Sequence, residues 1–349
     1  MAPAVPNPET IPSRSGTPGS ANLKLGGSAG DTAIATKRPP RREAPYTSET
    51  IIGQPGSLST YLPTALSEPF GRPDSVLDAG RVGDLDVRAA SIRGYRHRYS
   101  ADSLSTTRED EYCLRLSQDA GWLVAVVADG VSNSSLQSHK AAEIAAKMGA
   151  RIIAAELSEG KHPLEIDWKD NIHNKLSSAI IRSAAKESER TLPTDGRINA
   201  KLLLEAAEMM ATTAVTAIIG TRASDSAVPL YVVDLAGDSS ILLLRDMKWA
   251  LIAGGKTSSA DVVDSTVYAL PLFSPEAPKV VSETLRSGEA LFLMSDGVGD
   301  PLGSGDGEVG RLLAGRWSNV PEKWSFARDI DFHRETFDDD RTVVGVWLR

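Results

Sequence analysis

The sequence predicts an α+β layered sandwich in which most strands are antiparallel. Three observations lead to this fold class. Strand-like stretches recur through residues 84–349, several follow one another with only short turns between them, and helical periods separate some strands but not others. A doubly wound parallel sheet would alternate strand and helix regularly, so this order favours an antiparallel meander with helices packed on it.

Strands are predicted where β-branched and apolar residues are bounded by Gly, Asp or Pro. Two of these stretches bring Asp-Gly-Val to their carboxyl ends, as LVAVVADGV and LFLMSDGV. No internal repeat of fixed period accompanies them. In chain order the predicted strands are DVRAASIRG, EYCLRLSQ, WLVAVVADG, TTAVTAIIG, PLYVVDLAG, SILLLRD, WALIAGG, EALFLMSDG and TVVGVWL.

Helices are predicted where apolar residues recur at spacings of three and four. The stretches are LQSHKAAEIAAKMGARIIAAEL, IHNKLSSAIIRSAAKESER and AKLLLEAAEMM. In the first of them a single apolar stripe runs along one helix face, which indicates packing against a sheet. The stripe consists of Ala141, Ile144, Ala145, Met148, Ile152 and Ile153.

Composition limits the classes of function. The 349 residues carry a net charge of −8, which argues against nucleic acid as a partner because phosphate neutralisation needs clustered Lys and Arg. The single cysteine, Cys113, cannot form an internal disulfide, so we expect a cytoplasmic protein. No apolar run approaches the ~20 residues of a membrane span, and the N-terminus lacks a secretory signal, so no membrane partner is expected. We expect a monomer.

The chain divides into two unequal parts. Residues 1–80 hold 12 of the 20 prolines and show almost no periodic apolar pattern. Such a composition buries too little surface to offset the entropy of ordering it, so this Pro/Gly/Ser-rich segment is predicted to be a disordered tail. Residues 84–349 are predicted to form the folded domain.

Acidic residues stand at the boundaries of several predicted strands. A single one of them is typical of a turn or a helix cap. A whole set aimed into one cleft would repel unless cations neutralised it, and all-oxygen ligands suit Mg²⁺ or Mn²⁺. The lone cysteine and the scatter of the five histidines argue against a structural zinc site. The set comprises Glu109, Asp110, Asp129, Asp238, Asp296 and Asp339.

Six short motifs occur in a distinctive order: REDEYCL, VVADGVSN, TTAVTAII, LAGDSSILLL, LMSDGVGD and DDRTVVGV. This order resembles the metal-dependent type 2C serine/threonine protein phosphatases in their divergent bacterial form, over residues 84–349. The resemblance implies a four-layer α-β-β-α sandwich of two mainly antiparallel sheets flanked by helices. It also implies hydrolysis of phosphoserine and phosphothreonine in phosphoproteins, such as the targets of a serine/threonine kinase, by attack of a metal-bridged water.

The resemblance assigns roles to the acidic residues. Asp129 resembles the carboxylate that bridges two Mn²⁺ or Mg²⁺ ions, with the Gly130 carbonyl beside it. Glu109 resembles a ligand of the second ion, and Asp110 the residue that orients the attacking water. The remaining ligands are implied to be Asp296 and Asp339 at the first ion and Asp238, with Asp296, at a third and weaker site.

The sequence departs from the family pattern in three places. Val131 stands where many members carry a histidine that could protonate the leaving group. Ser105 replaces an arginine that grips phosphate, and Ser240 replaces the arginine of a GDSR variant. Arg93 and Arg108 are alternative phosphate ligands, whereas His97 and His139 are more typical of surface or helix-cap histidines.

Three hypotheses therefore remain open at the level of the sequence. The chain is an active metal-dependent protein phosphatase, a catalytically silent member of the same fold that binds or regulates other proteins, or an unrelated two-metal hydrolase of a small phosphoester. Retention of all the metal carboxylates favours the first, because a silent scaffold has no need to keep like charges clustered. Such a site would activate water on its cations and would need no Ser or Cys nucleophile.

Overall fold

We describe the fold from a computed structural model. The structure describes residues 50–54, 72–98, 107–131, 137–190, 198–255, 268–273 and 276–349. Ser105 and most of the predicted tail therefore lie outside the described residues.

The strands of the described residues largely follow the apolar runs of the sequence. Nine of the thirteen were predicted, and the others are two short strands and two edge strands. The strands are β1 (Thr50–Ile51), β2 (Ser75–Val82), β3 (Leu85–Ile92), β4 (Glu111–Leu116), β5 (Trp122–Ala128), β6 (Ala214–Gly220), β7 (Ala227–Ala236), β8 (Ser240–Arg245), β9 (Lys248–Gly254), β10 (Val280–Arg286), β11 (Ala290–Met294), β12 (Phe332–His333) and β13 (Arg341–Leu348).

The helices fall into one group before β6 and another around β11 to β13. A π-helical turn, Ile144–Met148, joins α2 to α3, and a second one, Trp168–His173, precedes α4. The helices are α1 (Tyr95–Arg98), α2 (Ser138–Glu143), α3 (Gly149–Ser158), α4 (Asn174–Glu187), α5 (Ala200–Met209), α6 (Asp296–Leu302), α7 (Glu308–Trp317) and α8 (Lys323–Ile330).

Two antiparallel sheets form the centre of the fold. The six-stranded sheet has the order β2-β3-β13-β11-β8-β9, and the five-stranded sheet has the order β10-β7-β6-β5-β4. Strand β5 shows why both are buried: Leu123, Ala125 and Val127 pack in the core between the sheets, while Val124 and Val126 pack under the first helices. Because side chains alternate across a strand, a strand covered on both faces is apolar at nearly every position.

Helices cover the outer face of each sheet. Helices α2 to α5 pack on the five-stranded sheet in a core that includes Ile153, Leu176 and Ile180. Helices α6 to α8 pack on the six-stranded sheet through a core that includes Trp317 and Phe326. The predicted four-layer α-β-β-α sandwich is confirmed.

The boundary predicted at residue 80 is wrong, because the folded domain starts earlier. Strand β2 pairs with β3 along its full length, from Ser75 opposite Ile92 to Val82 opposite Leu85. Upstream of it, Asp74 accepts a hydrogen bond of 3.0 Å from the buried Arg93 guanidinium. Strand β2 escaped prediction because it is an edge strand with little buried surface and contains Asp, Gly and Arg.

Deleting residues 1–80 is therefore expected to lower the melting temperature by roughly 10 °C, since it removes most of β2 and takes the half-exposed Asp74 away from the buried Arg93 guanidinium, and each kcal/mol of lost stability shifts Tm by about 2–4 °C. Differential scanning fluorimetry measures this shift. Deleting residues 1–49, which spares every described strand, is the control and should leave Tm nearly unchanged. Equal Tm values for the two truncated proteins would contradict the placement of β2.

No helix in the described part of the chain is long and apolar enough to span a membrane.

Candidate metal centre

The predicted acidic residues gather at one end of the sandwich because of strand pairing. Strand β4 runs antiparallel to β5, with Glu111 opposite Ala128, so Glu109 and Asp110 before β4 lie beside Asp129 after β5. In the other sheet, Met294 of β11 is opposite both Val343 of β13 and Ser240 of β8. The segments that carry Asp296, Asp339 and Asp238 therefore meet at the corresponding end.

The two sheets contact each other directly at this end. The Asp296 backbone N–H points at Oδ2 of Asp129 over 3.4 Å, a long contact that joins β11 and α6 to β5. Threonines hold the Asp129 backbone from the other side: the Thr213 N–H and the Thr212 hydroxyl each donate to its carbonyl at 2.8 Å.

Two glycines allow the chain segments to approach so closely. A Cβ atom on Gly130 would lie 2.9 Å from the Glu109 carbonyl oxygen, and a Cβ atom on Gly297 would lie 1.9 Å from that of Asp340. Any side chain at either position would push the carboxylate segments apart. The Asp-Gly pairs of the two motifs thus have a packing reason, because glycine lets backbones meet at a site.

Burial and mutual repulsion disfavour the charged form of these carboxylates. Burial, followed by the negative charges of Asp110, Asp296 and Asp339, raises the pKa of Asp129 well above its ordinary value. Burial, followed by the Asp340 charge, raises the pKa of Asp110 to about 8. Burial, followed by the Asp339 charge, raises the pKa of Asp296 to about 6. The pKa of Asp339 is raised for the same reasons.

These carboxylates fit divalent cations. Neither carboxylate oxygen of Asp110 has a hydrogen-bond partner of good geometry among the described residues, although the Ser295 and Thr342 hydroxyls lie near enough to favour its charged form. Asp129, Asp296 and Asp339 add further oxygen atoms with the same sign of charge. A hard cation with oxygen ligands, such as Mg²⁺ or Mn²⁺, would remove both the repulsion and the lack of partners.

Asp238 lies at the edge of the cluster, in the turn between β7 and β8. Its charge raises the pKa of Asp296, and together with burial it raises the pKa of Asp234 to about 6. All six predicted acidic residues are therefore brought to the same end of the sandwich.

Sequence reasoning missed the pair formed by His97 and Asp340. His97 is only 5% exposed, so it is not a surface histidine, and it lies in the last turn of α1. Its Nδ1 lies 2.9 Å from Oδ1 of Asp340. Burial alone would lower the pKa of His97, but Asp340 raises it to about 10, while His97 opposes the effect of burial on Asp340 and brings that pKa to about 2.

The arginines proposed from the sequence as phosphate ligands are buried. Arg93 donates to Asp74 and to the His97 carbonyl, and Arg108 donates to the Ser91 hydroxyl at 2.5 Å. An exposed arginine whose charge acts on the carboxylates is Arg96 on α1, which partly offsets the rise that burial and the Asp340 charge cause in the pKa of Asp339. The backbone N–H of Arg96 donates to the Asp338 carbonyl, which brings the short helix α1 to this end of the fold. Residue spacing in the sequence does not indicate such a contact.

The other residues singled out from the sequence are also mainly internal. His139 is 3% exposed on α2, so it too is not a surface histidine. Cys113 is half-buried and packs at the edge of the helical core, in keeping with a structural role.

The melting temperature of the metal-free protein is expected to fall as the pH rises from about 5 to about 8. In this window the raised pKa values of Asp296 and Asp110 mean that the folded state binds more protons than the unfolded chain, so stability is lost as these protons leave. The raised pKa of His97 acts in the same direction above its ordinary value of 6.5. Scanning fluorimetry in EDTA measures the trend, and Mn²⁺ should flatten it. A Tm that rises across the window would contradict these shifts.

Comparison with known proteins identifies relatives of the chain. The sequence profile of the family described as protein phosphatase 2C matches residues 93–325. No curated protein sequence matches the chain significantly.

Solved structures of two bacterial phosphatases are similar to the chain at low identity. A serine/threonine phosphatase of S. agalactiae is 17% identical, with a TM-score of 0.47 over 76% of this chain and 100% of that one. The Mycobacterium tuberculosis serine/threonine phosphatase PstP/Ppp is 18% identical, with a TM-score of 0.44 over 76% of this chain and 99% of that one. Because these TM-scores are below 0.5, the assignment to a family rests on the profile match.

Proposed function

Because the chain belongs to the protein phosphatase 2C family, we propose that it is a metal-dependent phosphatase that hydrolyses phosphoserine and phosphothreonine in proteins. The observation that carries this proposal is the convergence of buried carboxylates from both sheets, with raised pKa values at Asp129, Asp110 and Asp296. Two bound Mn²⁺ or Mg²⁺ ions would supply an activated water and neutralise the phosphate oxygens, so no covalent intermediate is needed. A third, weaker ion would bind beside Asp238.

Each residue of the site has a proposed role. Asp129 would ligate both ions, and the Gly130 carbonyl and Glu109 would hold the ion on one side of the site. Asp296 and Asp339 would hold the ion on the other side, and Asp238, with Asp296, would hold the third ion. Asp110 is fully buried, and its carboxylate oxygens would accept hydrogen bonds from the attacking water and so orient it.

Arg96 is proposed to contact the substrate phosphate, since it is exposed and its charge acts on Asp339, while Arg93 and Arg108 are buried. Replacing Arg96 by alanine is expected to raise KM for a phosphothreonine peptide by about 10-fold or more, as charge-assisted bonds to phosphate are strong. Steady-state kinetics give the value. The Mn²⁺ affinity should stay unchanged, and an unaltered KM would rule out this contact.

The proposed partners and location follow from the function. The substrate is a phosphoprotein, for example a target of a serine/threonine kinase, and the single cysteine is in keeping with the cytoplasm. We propose that the protein acts there as a monomer.

The test of the function is a phosphatase assay of the full chain with Mn²⁺, with Mg²⁺ and with EDTA. Turnover of a phosphothreonine peptide in either metal, and its loss in EDTA, is the expected result. Turnover that persists in EDTA would overturn the two-metal mechanism. Mn²⁺ binding in calorimetry without turnover of any phosphoester would instead support a silent binding module, which the absence of a histidine at Val131 also motivates.

A further inference from the structure

A buried link connects α1 with the loop before β13 and with the segment before β4. We propose that His97 and Asp340 form a positioning pair that holds the Glu109 backbone, and with it two cation-binding segments, in the geometry needed for Mn²⁺ or Mg²⁺. This inference rests on the proposed function, because it concerns the same carboxylate site.

Asp340 is the centre of the link. It is 2% exposed, and its Oδ1 accepts from the Gly94 N–H at 2.6 Å and pairs with Nδ1 of His97 at 2.9 Å. Its Oδ2 accepts from the N–H of Glu109. One side chain thus joins three chain segments: the start of α1, the segment before β4 and its own loop before β13.

Both proposed cation ligands of this region depend on the link. Glu109 receives its backbone position from Asp340, and Asp339 is the neighbour of Asp340 in sequence. His97 also faces Asp339, with Nε2 at 3.9 Å from its Oδ1. A shift of Asp340 would therefore move, at once, proposed ligands in the segments that precede two different strands, β4 and β13.

The ends of α1 fix His97 in turn. Arg93 donates to the His97 carbonyl at 2.7 Å, and the Arg96 N–H donates to the Asp338 carbonyl at 2.9 Å. These two hydrogen bonds fix the backbone on both sides of the imidazole, next to the loop that contains Asp340. The position of His97 is therefore set by the packing of α1.

The same three side chains could be read as a metal site, because single atoms of His97, Asp339 and Asp340 lie within 4.8 Å of one another. The contacts of Asp340 argue against that reading. Each of its oxygens already accepts a backbone N–H, and Oδ1 also pairs with the imidazole. His97 and Asp340 are thus placed to orient the proposed cation ligands Glu109 and Asp339 without binding the cation themselves.

Replacing His97 by glutamine removes the donor that faces Asp340 while keeping a polar side chain of similar volume. Isothermal titration of the full chain with Mn²⁺ should show binding weakened by about 10- to 100-fold, the usual effect of losing an outer partner of a metal ligand. Replacing His97 by asparagine places an amide N–H near the position of Nδ1, so it should restore most of the affinity. A Kd for His97→Gln within about 2-fold of the wild type would overturn the proposal, since an outer partner of a ligand contributes more than that.

His173 provides the matched control, because it is equally buried, at 1% exposure, but belongs to the helical layer. His173→Gln should leave Mn²⁺ affinity unchanged even if it lowers Tm. A similar loss of affinity in that variant would mean that general destabilisation is responsible, and would also overturn the proposal.

Asp340→Asn gives a second route if His97→Gln does not fold. In either orientation of the amide, one of the two backbone N–H groups would face an NH₂ group, so the Mn²⁺ affinity should again fall. Hydrogen exchange, which needs no metal, should become faster at the Glu109 amide or at the Gly94 amide in both variants. Wild-type exchange at both of these amides would overturn the proposal. Failure of the proposed function would look different, since the wild type itself would then turn over no phosphothreonine peptide, whatever the Mn²⁺ affinities of the variants.

Discussion

Replacing Asp129 by asparagine is expected to lower kcat by at least about 100-fold, because the amide cannot bridge two cations and the attacking water loses its activation. The same change should raise Tm of the metal-free protein. In the absence of cations, Asp129 is buried against the charges of Asp110, Asp296 and Asp339, and a neutral side chain of equal size relieves that repulsion. Kinetics with Mn²⁺ and scanning fluorimetry in EDTA measure the two effects.

Asp246→Asn is the matched control for this prediction. Asp246 is exposed in the turn between β8 and β9 with φ of 48°, a conformation that asparagine tolerates well. It should change neither kcat nor Tm. Near wild-type activity in Asp129→Asn would show that the carboxylate cluster is not the reaction site, and a large fall in its metal-free Tm would show that the charge is compensated in another way.

The second large effect concerns the leaving group. An aryl phosphate is expected to exceed a phosphoserine peptide in kcat/KM by about 100-fold or more, because general acids contribute 10²–10⁴-fold and a phenolate needs no proton to depart. Val131 stands where a histidine could donate that proton. The structure offers no replacement among the described histidines near the site, since His97 and His139 are both buried.

Val131→His is expected to narrow this gap by about 10-fold, if the added imidazole acts as a general acid for the peptide only. His139→Gln is the control and should leave the ratio of the two substrates unchanged. Comparison of kcat/KM for both substrates across the three proteins decides the matter. Selective loss of peptide hydrolysis in His139→Gln would reveal a proton donor at that position and contradict this account.

Strand prediction succeeded for the central strands of both sheets, which are covered on both faces, and also for the exposed edge strand β9. Strands such as β5 and β6 are apolar at almost every position, so their runs stand out in the sequence. Edge strands carry less of this signal: β2 is mainly exposed or half-buried, and β10 has few fully buried positions. The fold class could therefore be predicted from the central strands alone, whereas the limits of the domain could not.

Helices α6 to α8 also escaped prediction, although a signal was present in one of them. Val309, Leu313 and Trp317 lie four residues apart on α7 and are all fully buried. Two glycines lie within that helix, Gly310 on its buried side and Gly315 on its exposed side, and a proline lies inside α6, which weakens the local preference for helix. Packing against the six-stranded sheet overrides this preference.

The candidate site was predictable in part for a simple reason. Carboxylates next to strand ends are visible in the sequence, and antiparallel pairing brings those ends together once the sheets form. The pair of His97 and Asp340 had no such signal, because it joins a four-residue helix to a distant loop. Contacts that depend on the packing of irregular segments cannot be derived from periodicity.

The position of β13 in the sheet has a kinetic consequence. This strand lies between β3 and β11, and its pairs Arg341–Ile92 and Leu348–Leu85 join residues that are far apart in the chain. Loop-closure entropy must be overcome before such distant pairs form, so refolding should be slow compared with that of small helical proteins. Until β13 pairs with β3 and β11, the edges of these two strands expose unpaired backbone groups that other chains can bind. Refolding yield should therefore decline steeply with protein concentration, even where the native state itself is stable.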